Sequence, residues 1–165
     1  MFSRKTAIVT VSDSGSRGER EDLSGHALAR KLSAAGFEVF YKTIVPDDYE
    51  EIRKVLTDLS DREETALIVT TGGTGVAPRD VTPEATLSVI QKAVPGLAEA
   101  MRASGLQKTP HAMISRAVAG IRGKTLIVNL PGSPGGAVEN LESILSALPH
   151  ALDKIQGDPS DCAPE

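Results

Sequence analysis

The sequence predicts an α/β fold, a three-layer α/β/α sandwich built on a mostly parallel sheet. Two features carry that reading: short β-branched apolar runs alternate with segments of helical periodicity, and the loops after the runs are rich in Gly, Ser and Asp. The chain of 165 residues is the size of one domain, and no internal repeat or interdomain linker divides it. We expect a single domain over residues 1–156 and a flexible polar tail over 157–165.

The first run, "TAIVTVS" from Thr6, is apolar on both alternating faces, which suits a strand covered on both sides. A polar loop over residues 12–22 leads into "LSGHALARKLSAAG", where Leu23, Ala27, Leu28 and Leu32 recur at helical spacing before Gly36 stops the helix. "FEVFYKTIV" alternates as a strand, and "DDYEEIRKVLTDLS" puts Ile52, Val55, Leu56 and Leu59 on one helical stripe, with Asp48 the favoured cap. "TALIVT" is a further buried strand and completes a βαβαβ pattern. Beyond it we expect helices over 83–92 and 95–107, with Thr82 as N-cap and Pro83 at the first helical position. The second of these carries Leu97, Met101 and Leu106 at a spacing that suits either the core or an interface between copies. Then come a hairpin-like or irregular stretch, "TPHAMISRAVAGIRG", the strand "TLIVNL", and a last helix over 136–155.

Charge and composition narrow the partners. With 18 Lys+Arg against 22 Asp+Glu the net charge is -4, and no basic stripe offers to neutralise nucleic-acid phosphates. No run of 18 apolar residues is present, and the short apolar N-terminal run has no cleavage site, so a soluble, cytoplasmic protein is expected. Cys162 is the only cysteine, which leaves no disulfide framework and no cysteine metal site. His26, His111 and His150 show no ligand spacing and read as structural or surface residues.

In such a sheet, ligands gather outside the carboxyl ends of the strands. Four segments fall there: residues 12–22, "VPDD" (45–48), "TGGTG" (71–75) and "NLPGSPGG" (129–136). Their glycines allow close approach of an anionic ligand to backbone N–H groups, although Gly, Pro, Asp and Ser also dominate ordinary turns. No lysine follows "TGGTG" at P-loop spacing, and no G-x-G-x-x-G opens the first helix, so nucleotide-binding motifs of those two kinds are excluded. Arg79 and Asp80 lie between the glycine turn and the next helix, where folding alone does not call for a charge pair. Asp47 comes from the neighbouring loop, and two loop aspartates with no histidine cage are the pattern a phosphate-bound Mg²⁺ uses; the other reading of Asp47 is a helix cap.

Taken in order, "VTVSD…DLSG", "VPDD", "TTGGTGVAPRDVTPEA", "SRAVAGIRG" and "LIVNLPGSP" resemble the molybdopterin adenylyltransferase family (MogA/MoaB type) of molybdenum cofactor biosynthesis. The resemblance implies a molybdopterin-binding-like fold and a Mg²⁺-dependent reaction in which ATP and molybdopterin give adenylyl-molybdopterin and pyrophosphate. It implies a homo-oligomer, trimer or hexamer, with a molybdenum insertase downstream. Asp47 and Asp80 match the family's two essential aspartates, and Gly72, Gly73, Thr74 and Gly75 match its nucleotide-phosphate loop. Ser12, Asp13 and Gly25 match its first loop and helix start. Ser115, Arg116 and Gly120, with the turn Asn129, Pro131, Gly132 and Ser133, match positions resembling the pterin and nucleotide pocket. The same fold also serves a nucleotide pyrophosphate hydrolase and pterin-binding paralogues without activity, which are the alternatives.

Overall fold

Alternating strands and helices require crossover connections, and the computed structural model, which describes residues 2–162, shows what they build. The strands are β1 (Lys5–Val11), β2 (Glu38–Val45), β3 (Leu67–Thr71), β4 (Lys92–Ala93), β5 (Ala119–Arg122) and β6 (Thr125–Leu130). They form one sheet in the order β2-β1-β3-β6-β5-β4, parallel through β6 and antiparallel from β6 to β4. The helices are α1 (Asp13–Ser16), α2 (Leu23–Ala34), α3 (Tyr49–Ser60), α4 (Thr82–Val89), α5 (Pro95–Leu106), α6 (Pro134–Ile144) and α7 (Leu148–Ile155).

Strand periodicity divides the core in two. Ile8, Leu67 and Val69 face a cluster with Leu28, Leu97, Met101 and Leu141. Ala7, Val9 and Ile68 face the other cluster, with Ile52, Leu56 and Val89. Helices α2, α5, α6 and α7 therefore cover one face and α3 and α4 the other, which is the expected three-layer sandwich. At its centre Asn129, fully buried, donates to Thr70 Oγ1 at 3.1 Å and Thr86 Oγ1 at 2.9 Å, while its Oδ1 accepts the Val118 N–H at 3.2 Å. Asn129 is thus a structural tie between β3, β6, α4 and the entry to β5.

Several expectations need correction. The loop over 12–22 contains α1, whose cap Ser12 accepts the Gly15 N–H at 3.0 Å. Helix α4 ends at Val89 because Gln91 N–H donates to Ile121 O at 2.7 Å, so pairing to β5 draws this segment out of the helix. Thr82 is not the cap: Val81 stands at that position without a side-chain bond, and Thr82 Oγ1 donates to Gly72 O at 2.9 Å. The last helix is two, α6 and α7. Leu97 and Met101 belong to the core, at 9% and 2% exposure, which removes them from any surface interface and leaves Leu106 at 46%.

The tail over 157–162 carries no helix or strand, but Lys154 Nζ holds its start by donating to Asp158 O and to Ser160 Oγ, at 3.3 and 3.1 Å. The remainder of the expected tail, 163–165, lies outside the described residues. No helix among the described residues is long and apolar enough to cross a membrane.

Candidate active site

Because β1, β2, β3 and β6 run parallel, the loops that follow them meet at one edge. Two backbone turns form the centre. Gly72 and Gly73 follow β3 with φ of +104° and +68°, values that side chains rarely adopt. Gly72 N–H donates to Leu130 O at 3.1 Å, and a Cβ on Gly72 would lie 2.3 Å from Val11 O. The turn after β6 stacks on it, since a Cβ on Gly132 would fall 3.3 Å from Gly72 Cα. Thr71 Oγ1 donates to Pro131 O at 2.7 Å and Ser24 Oγ to Gly132 O at 2.5 Å, so two side chains hold the turn after β6.

This double turn is a ridge between two cavities of about 440 and 460 Å³. Gly73, Gly132 and Ser133 line both. The first takes in Ser12, Gly72 and Asp47, along with Arg20 and Ser24. The second takes in Thr74, Gly75, Asp80, Ser115 and Pro131, along with Arg102, Lys108 and His111. Of the two expected metal ligands, Asp47 thus lines the first cavity and Asp80 the second. Both touch the ridge: Asp47 Oδ1 lies 3.3 Å from where a Gly73 Cβ would be, and Asp80 Oδ2 lies 2.9 Å from that of Gly75.

Two aspartates at this edge shift in opposite directions. Burial pushes the Asp47 carboxyl above its usual range, and the neighbouring charges of Asp13 and Asp80 add to the rise. Asp13 moves the other way, held low chiefly by its hydrogen bond from Arg79. Among the described residues no group of three or more His, Cys, Asp or Glu side chains is arranged to hold a metal. Asp47 and Asp80 bring carboxylate oxygens to the two cavities, and such oxygens suit a hard divalent cation that completes its shell with water and substrate phosphate.

Not every expected site residue reaches a cavity. Arg116 instead braces the glycine loop: its Nε donates to Gly75 O at 2.6 Å, its Nη2 to Asp80 O at 2.7 Å, and its Nη1 pairs with Glu84. Gly120 is packed under Ile90 and Lys92 O, so its role is close packing at the sheet edge. Gly25 lies against the cap Asp22, whose Oδ1 accepts its N–H at 2.9 Å. Asp13 lines neither cavity but bonds Asp47, and Asn129 lies in the core. Conversely Arg102, Lys108 and His111 carry no sequence signal for the site, and reach it only through the antiparallel return of β5, which no local pattern announces. All three histidines are exposed, as expected of surface residues.

The Glu84–Arg116 pair has a pH signature. Arg116 lowers the Glu84 pKa below its ordinary 4.5, so the pair's stabilisation is present above that value and is lost as pH falls through the depressed one. The Glu84→Gln variant should melt below the wild type at pH 6, and the difference should shrink on acidification to pH 3, as read by thermal unfolding. A difference that does not change with pH would contradict the pair's contribution.

Known proteins share the sequence and the fold of this chain. Residues 7–150 match the family described as "Probable molybdopterin binding domain". A molybdopterin adenylyltransferase of Helicobacter pylori is 46% identical over 152 residues, covering 91% of this chain and 86% of that protein. The Escherichia coli K12 protein of the same name is 36% identical, covering 100% of this chain and 92% of its own. Among solved structures, the molybdopterin biosynthesis enzyme MoaB of Thermus thermophilus superposes with a TM-score of 0.89 at 54% identity, covering 98% of this chain and 100% of that one. A match over residues 7–150, with relatives this similar over most of their own length, means that the chain belongs to the molybdopterin-binding domain family.

Proposed function

We propose that this protein is a molybdopterin adenylyltransferase, joining the adenylyl group of ATP to the terminal phosphate of molybdopterin and releasing pyrophosphate. The observation that carries this reading is the pair of cavities meeting at one glycine ridge, with Asp47 lining the first and Asp80 the second. Two substrates, one per cavity, would bring their phosphates together over Gly73 and Gly132, where the absence of side chains permits close approach. The relatives' shared name gives the reaction class.

In this reading a phosphate oxygen of molybdopterin attacks the α-phosphorus of ATP, the new P–O bond forms, and the bond to pyrophosphate breaks. The chain supplies no nucleophile; it positions two polyanions and offsets their charge. Asp47 and Asp80 would hold Mg²⁺, which when bound supplies the positive charge that phosphoryl transfer needs. Ser12 and Ser133, the caps of α1 and α6, set the helix starts beside the first cavity, and Lys108 and Arg102 bring cationic groups to the second. The test is an omission assay: adenylyl-molybdopterin and pyrophosphate should appear only with ATP, Mg²⁺ and molybdopterin together. Pyrophosphate from ATP alone at the same rate would mark a hydrolase, and unchanged substrates a binding paralogue.

The reaction belongs in the cytoplasm, with a molybdenum insertase taking the product. We further propose a homo-oligomer, trimer or hexamer, supported by the exposure of Met113, Ile114 and Leu106 at 65%, 51% and 46% around the segment joining α5 to β5. Light scattering should give a multiple of 17.3 kDa at micromolar concentration; a stable monomer would contradict it.

A further inference from the structure

Arg79 projects from the loop between β3 and α4, and its side chain is 66% exposed. It lines neither cavity, yet it is bonded to two of the other loops at this edge, those after β1 and β2. Its Nε donates to Asp13 Oδ2 at 2.5 Å and its Nη2 to Asp13 Oδ1 at 2.9 Å, a two-pronged grip on one carboxylate. The same Nη2 donates to Asp47 O at 3.1 Å.

Asp13 passes this hold on. Its amide donates to Asp47 Oδ2 at 3.0 Å, and the Asp47 amide donates back to Asp13 Oδ1 at 3.0 Å. The two aspartates thus close a reciprocal ring in which one oxygen of Asp47 is tied down, and Asp47 Oδ1 remains on the side of Gly73. Asp80 follows Arg79 directly in the chain, and its own carbonyl is gripped from the opposite side by Arg116 at 2.7 Å. The short segment carrying Asp80 is therefore tied through Arg79 to the loops after β1 and β2 and through the Asp80 carbonyl to Arg116.

We propose that Arg79 is a positioning residue: acting through Asp13, it fixes the Asp47 carboxylate and sets its distance from Asp80 across the ridge. This rests on the adenylyl-transfer reading of the site. Arg79 does not serve as a phosphate ligand, because its guanidinium already faces a carboxylate and a carbonyl outside both cavities. Lysine cannot replace it, since an ammonium offers no planar pair of donors to match the Asp13 oxygens.

The test compares Arg79→Gln and Arg79→Lys with Arg53→Gln, which removes an arginine from an exposed pair on α3. Without substrates, amide hydrogen exchange at Asp13 and Asp47 should quicken roughly 10-fold or more in Arg79→Gln, with β1 and β3 amides unchanged. In the assay, kcat should fall on the order of 10- to 100-fold through misplacement, with the KM values for ATP and molybdopterin within about twofold. Arg79→Lys should recover only part of the loss, and Arg53→Gln should match the wild type. A rise in KM at unchanged kcat would instead make Arg79 a substrate contact and overturn the proposal. So would unaltered exchange at Asp13 and Asp47, or exchange quickened throughout the sheet. Because exchange is read without substrates, a wild-type chain that fails to adenylylate molybdopterin would overturn the reaction assigned to the site while leaving the clasp itself measured.

Discussion

Asp80→Asn is expected to slow adenylyl transfer by on the order of 10²-fold or more while barely moving the thermal midpoint. Asparagine keeps the size of the side chain and an acceptor for the Ala77 N–H, now at 3.0 Å from Asp80 Oδ2, but removes the charge that a phosphate-bound cation requires. Asp47→Asn should lose turnover similarly, and its stability carries an opposite sign from an ordinary ion-paired carboxylate. The folded pKa of Asp47 is raised, so its ionisation costs stability as pH rises through the window between the unfolded and folded values, and that cost persists at neutral pH. Removing the charge should leave the neutral-pH midpoint unchanged or slightly higher. If both carboxylates hold one ion, the double variant should lose far less than the product of the single losses. Near-normal turnover of Asp80→Asn at saturating Mg²⁺ would contradict the ligand role, and a collapse of the thermal midpoint would make Asp80 structural.

Gly72→Ala should have the largest effect on folding, costing about 3 kcal/mol or more from the combined backbone strain and clash. At φ +104° an alanine is strained, and its Cβ would lie 2.3 Å from Val11 O, a backbone atom that cannot rotate away. Relief requires β1 and β3 to part at the end where the site is built, so turnover should fall with stability. Gly73→Ala meets Thr82 Oγ1 at 2.3 Å, a side-chain atom, and should cost less stability while still displacing the ridge. Gly135→Ala is the control, because a Cβ there meets nothing within 4 Å and the residue lies in α6; it should be neutral or stabilising by up to about 1 kcal/mol. Denaturant unfolding of the three variants ranks them. Equal stabilities for Gly72→Ala and Gly135→Ala would contradict the role given to the turn.

Much of this was legible in the chain. The strands at Ile8, Ile68 and Ile127 are apolar runs with no competing periodicity, and all three are fully buried. The convergence of Asp47, Asp80 and the glycine turn followed from parallel topology alone, since parallel strands put their outgoing loops on one edge. What local patterns did not signal depends on contacts between distant segments. Pro83 and Glu84 marked a helix start correctly, but Thr82 binds Gly72 O because the tight turn brings that carbonyl within reach, which capping rules do not include. The periodicity past Val89 continued as helix in the sequence, whereas a strand-type bond to Ile121, 30 residues on, drew the chain away. Arg79 was visible as an unexplained charge, but its partner Asp13 lies 66 residues earlier in the chain. Arg116 resembled a pocket residue and became a brace, because the carbonyls of Gly75 and Asp80 turn toward it once the loop closes.

The most direct measurement follows the label from ATP carrying ³²P at the α-phosphorus, mixed with molybdopterin, Mg²⁺ and the purified protein. Label should enter adenylyl-molybdopterin, with one pyrophosphate released for each label transferred. Label recovered only as AMP, or left in ATP, would contradict adenylyl transfer at this site.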